Sequence, residues 1–338
     1  MSAQNQPAKG TIRTAPIGKC HLCGSEGSPL YSGLSDPYFG ATGLWSHKKC
    51  PNPKCGLIWL DPAPITEDLY LAYQSYFTHG TQDGVPSLGS RIRGLCYSAY
   101  QSLHKIPATV FGLGTAKAEI TSMFLGDMKP GKLLDVGCGD GKYLNRMRPL
   151  GWSVEGVDFD SKAVANAKVQ YGLDLHCGNL QDANFSSEMF DAVTMSHVIE
   201  HLPEPLVLLK EIQRILKPGG RLVVTTPNSD SLGHQKFGSY WFGIDPPRHL
   251  KIYSPRTLRI CAEKLGFKSI RTLTSAANAD IFLGGSFSIR DSADHRTSAQ
   301  PAPNPLRIAK TILLQYREHS KLSSNPDLGE EVALICCK

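Results

Sequence analysis

Leu133-Leu134-Asp135-Val136-Gly137-Cys138-Gly139-Asp140-Gly141-Lys142 is the stretch that decides the fold. An apolar run too short for a helix ends at Asp135 and Val136. Three glycines at alternate positions follow, and then a periodic segment from Tyr143 to Leu150. That order predicts strand, tight turn, helix. Glycine serves where φ must be positive or where backbone must approach a ligand, and the helix beyond offers free N–H groups at its first turn. The turn is therefore a ligand cradle. The dinucleotide fingerprint G-x-G-x-x-G would need glycine at position 142, where this chain has Lys142.

Downstream, strand-like and helix-like segments alternate, which predicts a parallel sheet covered on both faces and an α/β fold. Val154 to Asp158 reads as the second strand, and Asp158 closes it 21 residues after Gly137. A carboxylate there is placed to accept from two vicinal ribose hydroxyls, while Asp160 can cap the helix from Ser161 to Tyr171. Leu175 to Leu180 reads as a third strand and turn, Phe190 to Ser196 as a fourth, and Gly220 to Thr226 as a fifth. Pro205 to Leu216 forms the helix before the fifth. Gly266 to Thr274 and Glu330 to Lys338 supply the last two strands.

Taken together, D-V-G-C-G-D-G (135–141), Asp158, F-D-A-V (190–193), H-V-I-E-H-L (197–202) and L-K-P-G-G-R-L (216–222) resemble the class I S-adenosylmethionine (SAM) methyltransferases, in their methyltransferase-23-like branch. The resemblance covers roughly residues 116–274. It implies a Rossmann-like, doubly wound, seven-stranded sheet with an antiparallel last strand. It also implies SAM as cofactor, held by Asp135, Gly137, Gly139, Asp158, Asn179, Leu180 and Ser196. Asn179 stands where that family commonly has an acid near the adenine amino group; its amide oxygen can still accept from N–H, and Asp182 is the nearby alternative.

His197, Glu200 and His201 fall at i, i+3 and i+4 after the fourth strand, on one helical face at the carboxyl edge of the sheet. Histidine titrates near neutrality, which makes His201, then His197, candidates for the base that removes an acceptor proton. The same element can instead hold a divalent metal. In some O-methyltransferases a Glu-x-x-Glu-His element does so with a further histidine, here His249. The imidazole-rich set at Glu200/His201 would favour zinc, iron or manganese over magnesium. The loop Trp241-Phe242-Gly243-Ile244-Asp245-Pro246-Pro247-Arg248-His249 is too rich in aromatic and charged residues for a plain connector. Similar D-x-P-R-H segments recur in the branch, so Trp241, Arg248 and His249 are expected on the substrate side, with Arg248 as a clamp for phosphate or carboxylate. Asp245-Pro246-Pro247 is not the D-P-P-Y box of base-modifying amino-methyltransferases, which belongs at the end of the fourth strand and has an aromatic where Arg248 stands.

Upstream, Cys20-x2-Cys23 and Cys50-x4-Cys55 each end in Cys-Gly, the pattern of a four-thiolate zinc ribbon. Four thiolates leave no open coordination position, so this zinc is structural. It supplies the folding free energy that a segment of some 40 residues cannot obtain from its own core. The expected organisation is a tail at 1–15, the ribbon at 16–60, a helical linker or lid at 61–115 and the methyltransferase domain at 116–338. Residues 276–328 form an insertion between the last two strands. Tyr76, His79 and Arg91 are candidate lid residues. Within the insertion, Asp291 to Asn304 reads as flexible. Leu306, Ala309, Ile312, Leu313 and Tyr316 form one helical stripe, expected to be a packing face.

The net charge of +6 carries no dense basic run, so nothing calls for nucleic acid; no apolar stretch approaches a membrane span, and Met1 to Gly10 has no signal-peptide core, which points to the cytoplasm. The expected function is methyl transfer to a small-molecule or sugar acceptor at a hydroxyl. C-methylation of a nucleotide sugar is one alternative, and a ribbon-bearing SAM-fold binding protein with a macromolecular partner is another. Neither the acceptor nor the oligomeric state is written in the sequence.

Overall fold

The computed structural model describes residues 10–73, 112–295 and 304–338. The lid candidates Tyr76, His79 and Arg91 lie outside the described residues. Near the N-terminus, β1 (Thr14–Ala15), β2 (Ser28–Leu34), β3 (Trp45–Lys49), β4 (Ile58–Leu60) and β5 (Ala63–Pro64) precede a 3-10 helix at Thr66–Tyr73. The two cysteine pairs sit in the loops before β2 and before β4. A helix, α1 (Leu113–Thr121), leads into the main sheet.

The main sheet is built from β6 (Lys132–Val136), β7 (Ser153–Asp158), β8 (His176–Cys177), β9 (Phe190–Ser196), β10 (Leu216–Pro227), β12 (Lys268–Ser275) and β13 (Glu331–Cys337). Its order is β12-β13-β10-β9-β6-β7-β8, and β13 runs antiparallel to both neighbours. The Rossmann-like fold with an antiparallel last strand is thus as the sequence implies. Two helices flank β7: α2 (Lys142–Met147) and α3 (Ser161–Tyr171), the latter capped by Asp160 as expected. Then α4 (Pro205–Ile215) buries Leu208, Leu209, Ile212 and Ile215 at helical spacing against the sheet. Each such side chain contributes about 1.5–3 kcal/mol by leaving water. One boundary differs. The turn expected at Pro218-Gly219-Gly220 is taken up inside β10 as a register irregularity between Leu216 and Arg221.

Between β10 and β12 lie α5 (Leu232–Phe237), the short β11 (Lys251–Ile252) and α6 (Pro255–Lys264). β11 does not join the main sheet. It pairs with β4, giving the ribbon a four-stranded sheet of order β11-β4-β3-β2 whose edge strand comes from the half of the chain that builds the main sheet.

The insertion forms a helix pair, α7 (Ala279–His295) and α8 (Pro305–Lys321). Two expectations are corrected there. Asp291 to His295 is the last turn of α7 rather than part of a flexible stretch. On α8 the apolar stripe divides: Tyr316 is half-buried against a core cluster and Ile312 is half-buried, but Leu306 is 62% and Leu313 69% exposed, while Thr311, Gln315 and Glu318 are buried. Hydrogen bonding decides the orientation. Gln315 Nε2 donates to the carbonyls of Ala276 and Ala277, at 2.9 and 3.2 Å, and Glu318 Oε1 accepts from the Glu330 N–H at 2.8 Å. Among the described residues no helix is long and apolar enough to cross a membrane.

Candidate active site

The cradle is built where β6 hands the chain to α2. Gly137, Gly139 and Gly141 all have positive φ, at 74°, 53° and 73°. A Cβ on Gly137 would come within 2.3 Å of Val198 Cγ2, whereas one on Gly139 would meet nothing within 4 Å. The bare Gly139 edge therefore faces open space. Asp158 closes the cradle: its Oδ2 accepts from Gly139 N–H at 2.7 Å and its Oδ1 from Asp160 N–H at 2.8 Å. Each oxygen keeps a lone pair for a further donor. Asp135 is buried and accepts from the Thr194 hydroxyl at 2.7 Å. Burial, reinforced by the Asp158 charge and only partly offset by Thr194, pushes it up to about 7. A carboxyl so placed fits a cationic partner. Asn179 is exposed and donates to Asp182 at 3.1 Å, Leu180 is buried in the core, and the Ser196 hydroxyl at the end of β9 accepts from Thr225 at 3.0 Å.

At the carboxyl edge of β9 the structure brings Glu200, His201 and His249 together, with one potential ligand atom from each lying within 4.8 Å of the others. Both imidazoles have Nδ1 against a backbone carbonyl, His201 at 3.1 Å from Arg248 O and His249 at 2.8 Å from Gly243 O. A carbonyl only accepts, so the Gly243 carbonyl places the His249 proton on Nδ1, and the Arg248 carbonyl favours the same tautomer at His201, where Tyr73 Oη, 3.0 Å from that Nδ1, is a second neighbour able to accept or donate. Glu200 is buried; Oε1 lies 3.2 Å from His197 Nδ1, and Oε2 has no hydrogen-bond partner. Although burial works against its charge, His197 and the neighbouring histidines hold Glu200 down at about 2. Burial, together with His249, depresses His201 to about 4. Two imidazole Nε2 atoms beside a carboxylate oxygen that has no hydrogen-bond partner fit a divalent cation better than they fit a free base.

Three expected roles are corrected. His197 cannot be the base. It sits in the left-handed region at φ 52°, between Glu200 Oε1 and Glu331 Oε1 at 3.2 and 2.8 Å, and the two carboxylates outweigh its burial and raise it to about 10. Arg248 cannot clamp a substrate anion. It is fully buried, paired with Asp36 at 2.8 Å and with Asp245 at 2.5 Å, with its guanidinium 4.4 Å from the centre of the Phe39 ring. Trp241 is equally buried, its indole N–H donating to Glu330 Oε2 at 2.7 Å. Long-range ion pairing and packing have claimed both side chains.

The structure adds residues that the sequence reading missed. Tyr73 Oη lies 3.0 Å from His201 Nδ1, and its ring meets the exposed Phe159 edge-on, with centroids 6.0 Å apart. The one sequence signal for Phe159 is an aromatic residue directly after the strand-ending Asp158. Glu331 and Asp36 had none, because their partners are more than a hundred residues away.

Cys20, Cys23, Cys50 and Cys55 converge with their sulfurs within 4.8 Å of one another. Cys20 and Cys55 are 3.7 Å apart and Cys23 and Cys50 3.3 Å, and all four are free thiols. Four sulfurs at these distances surround one tetrahedral position, which fits zinc.

The sheet order and the glycine cradle define a methyltransferase fold. Residues 113–272, just under half of the chain, match the family described as Methyltransferase domain. The chain is 35% identical over 109 residues to a ubiquinone biosynthesis O-methyltransferase of Xanthomonas oryzae pv. oryzae, covering 30% of this chain and 45% of that one. It is 34% identical over 117 residues to the mitochondrial ubiquinone biosynthesis O-methyltransferase of Rattus norvegicus, covering 30% and 32%. It thus spans less than half the length of these curated relatives. A crystal structure of a SAM-dependent methyltransferase from Archaeoglobus fulgidus aligns at 20% identity and a TM-score of 0.45, over 67% of this chain and 94% of that one.

Proposed function

We propose that this chain is a SAM-dependent methyltransferase that transfers the methyl group to a hydroxyl of a small-molecule or sugar acceptor. In this reading a structural zinc sits in the Cys20/Cys23/Cys50/Cys55 quartet, and a divalent cation at Glu200, His201 and His249 orients the acceptor oxygen. The observation that carries the reading is the placement of two complementary sites at one edge of the sheet: the cradle after β6 and the Glu200/His201/His249 cluster after β9. The similarity to ubiquinone biosynthesis O-methyltransferases supports a hydroxyl as acceptor.

When bound, SAM supplies an electrophilic methyl group on a sulfonium. Asp158 would receive the ribose hydroxyls, Gly139 leaves room for the chain between ribose and amino acid, and ionised Asp135 would face the cationic end. Glu200 Oε2 and the two Nε2 atoms would hold a borderline cation that lowers the pKa of a coordinated hydroxyl. Holding the oxygen in line with the methyl group then supplies much of the acceleration.

Calorimetry with SAM, on wild type and Asp158→Ala, tests the cradle. The variant is expected to bind about tenfold more weakly or worse, the loss of hydrogen bonds to a charged acceptor; equal affinity would remove Asp158 from the site. Labelled methyl transfer to a panel of phenols, catechols and sugars is expected to fall with EDTA and return with manganese. Turnover indifferent to chelation would leave positioning without the cation.

A further inference from the structure

Arg248 is expensive to bury, and it is bolted from three directions. Its Nε and Nη2 donate to Asp245 in its own loop, at 2.9 and 2.5 Å. Nη1 donates to Asp36 Oδ2, 212 residues away on the ribbon, at 2.8 Å, and to the Ala72 carbonyl at 3.1 Å, the residue before Tyr73. Both partners of the Asp36–Arg248 pair are fully buried. Asp36 is itself locked, accepting from the N–H groups of Tyr38 and Phe39 with one oxygen and from that of Ala41 with the other. A pair of this kind is weak evidence for stability, since desolvation offsets most of the attraction; its usual return is one fixed geometry.

What the geometry fixes is the backbone from 245 to 250. The N–H groups of Arg248 and His249 both donate to Asp245 O, at 3.0 and 3.1 Å. Leu250 N–H donates to the Glu200 carbonyl at 2.8 Å, and Leu250 O accepts from Leu60 N–H on ribbon strand β4 at 3.0 Å. The Arg248 carbonyl is then the acceptor that favours the proton on His201 Nδ1, against a Tyr73 hydroxyl 3.0 Å away that could donate to the same nitrogen. A chain of direct contacts runs from Asp36 through Arg248 to His201, and through the adjoining residue to His249.

Resting on the metal reading of that cluster, we propose that Asp36 is the positioning residue of the Glu200/His201/His249 site. The ribbon thereby takes part in the acceptor side: it holds the Arg248 carbonyl where His201 must present Nε2 to the cation. Asp36 touches neither cofactor nor acceptor, and it acts through Arg248.

The test uses full-length protein with zinc already in the quartet. Histidine 15N NMR reads the tautomers of His201 and His249, Co2+ titration followed by its d–d absorption reads the second site, and SAM calorimetry serves as control. In Asp36→Asn the Nδ1–H signature of His201 is expected to give way to tautomer exchange, and Co2+ affinity to fall by about ten- to a hundredfold, the cost of losing an outer-shell support. SAM affinity is expected to stay unchanged, and Asp36→Glu to restore part of the Co2+ affinity. A folded Asp36→Asn with wild-type tautomers and wild-type Co2+ affinity overturns the proposal. Should Asp36→Asn fail to fold, the double variant Asp36→Leu with Arg248→Met removes both charges together. An unchanged His201 tautomer there overturns it equally. If wild-type protein binds no Co2+ beyond the quartet, the metal reading fails by itself, and the tautomer measurement still decides the role of Asp36.

Discussion

Asp135 carries the most consequential single charge in the cradle. Burial holds its carboxyl at about 7, so it is protonated below neutrality in the ligand-free protein. Two effects follow, with opposite signs. The folded state binds this proton more tightly than the unfolded chain does, so the associated stability is present at low pH and declines as pH rises from about 4 towards about 7. A cationic ligand needs the ionised form, so its affinity rises over the upper part of that window. Calorimetric SAM affinity is expected to drop by up to about tenfold per pH unit below neutrality in wild type, and to lose that slope in Asp135→Asn. A slope that survives the substitution would assign it to another group. At this scale legibility followed sequence distance. Asp135, Gly137, Gly139 and Asp158 belong to one strand–turn–helix–strand unit, and the structure brings them together as that unit's spacing implies. Trp241 and Arg248 were read as substrate contacts because Glu330 and Asp36, which bury them, lie 89 and 212 residues away.

At the scale of elements, α8 shows how periodicity can misplace a face. The apolar positions are real, but the helix docks through Gln315 and Glu318, whose hydrogen bonds to the carbonyls of Ala276 and Ala277 just before α7 and to the Glu330 N–H leave Leu306 and Leu313 in water. An unmet buried amide or carbonyl costs more than an exposed leucine does. Leu313→Ser should therefore change stability by no more than about 0.5 kcal/mol, whereas Gln315→Ala should cost about 1–3 kcal/mol in chemical denaturation. The reverse ranking would mean that α8 packs by its apolar stripe in solution. The strands were easier to read, because alternation of strand and helix segments with short turns leaves few other topologies. Even so, the exchange of the turn at Pro218-Gly219-Gly220 for a bulge was not visible without its partner strand.

At the scale of the molecule, the links among the described residues between the ribbon and the main-sheet half of the chain include β4 with β11, Asp36 with Arg248, Tyr31 Oη with His234 Nε2 at 3.0 Å, Tyr38 Oη donating to the Gly285 carbonyl at 3.1 Å, and Arg256 with the Pro53 carbonyl. Stripping metal from the quartet should therefore lower the stability of the whole chain. With the proposed zinc in the quartet, a chelator strong enough to extract it is expected to lower the Tm of the single unfolding transition, with the Trp59 environment and the main-sheet core lost together. Two separate transitions, the core unmoved, would show that the quartet stabilises only its own loops. Zinc-ribbon spacing announced the quartet in advance. That its sheet would borrow a strand from beyond residue 250 could not be read locally, since β11 is two residues long.

That borrowed strand sets a timetable for biosynthesis. Trp59 pairs with Lys251, some 190 positions later. At about 5–20 residues per second, a ribosome needs on the order of ten to forty seconds to deliver the partner. Throughout that interval Ile58-Trp59-Leu60 stands as an apolar, unpaired edge, the kind of template on which nascent chains associate. Early metal capture by the quartet would hold the half-made hairpins in register until β11 emerges, so zinc starvation should reduce soluble yield most strongly while the chain is being made.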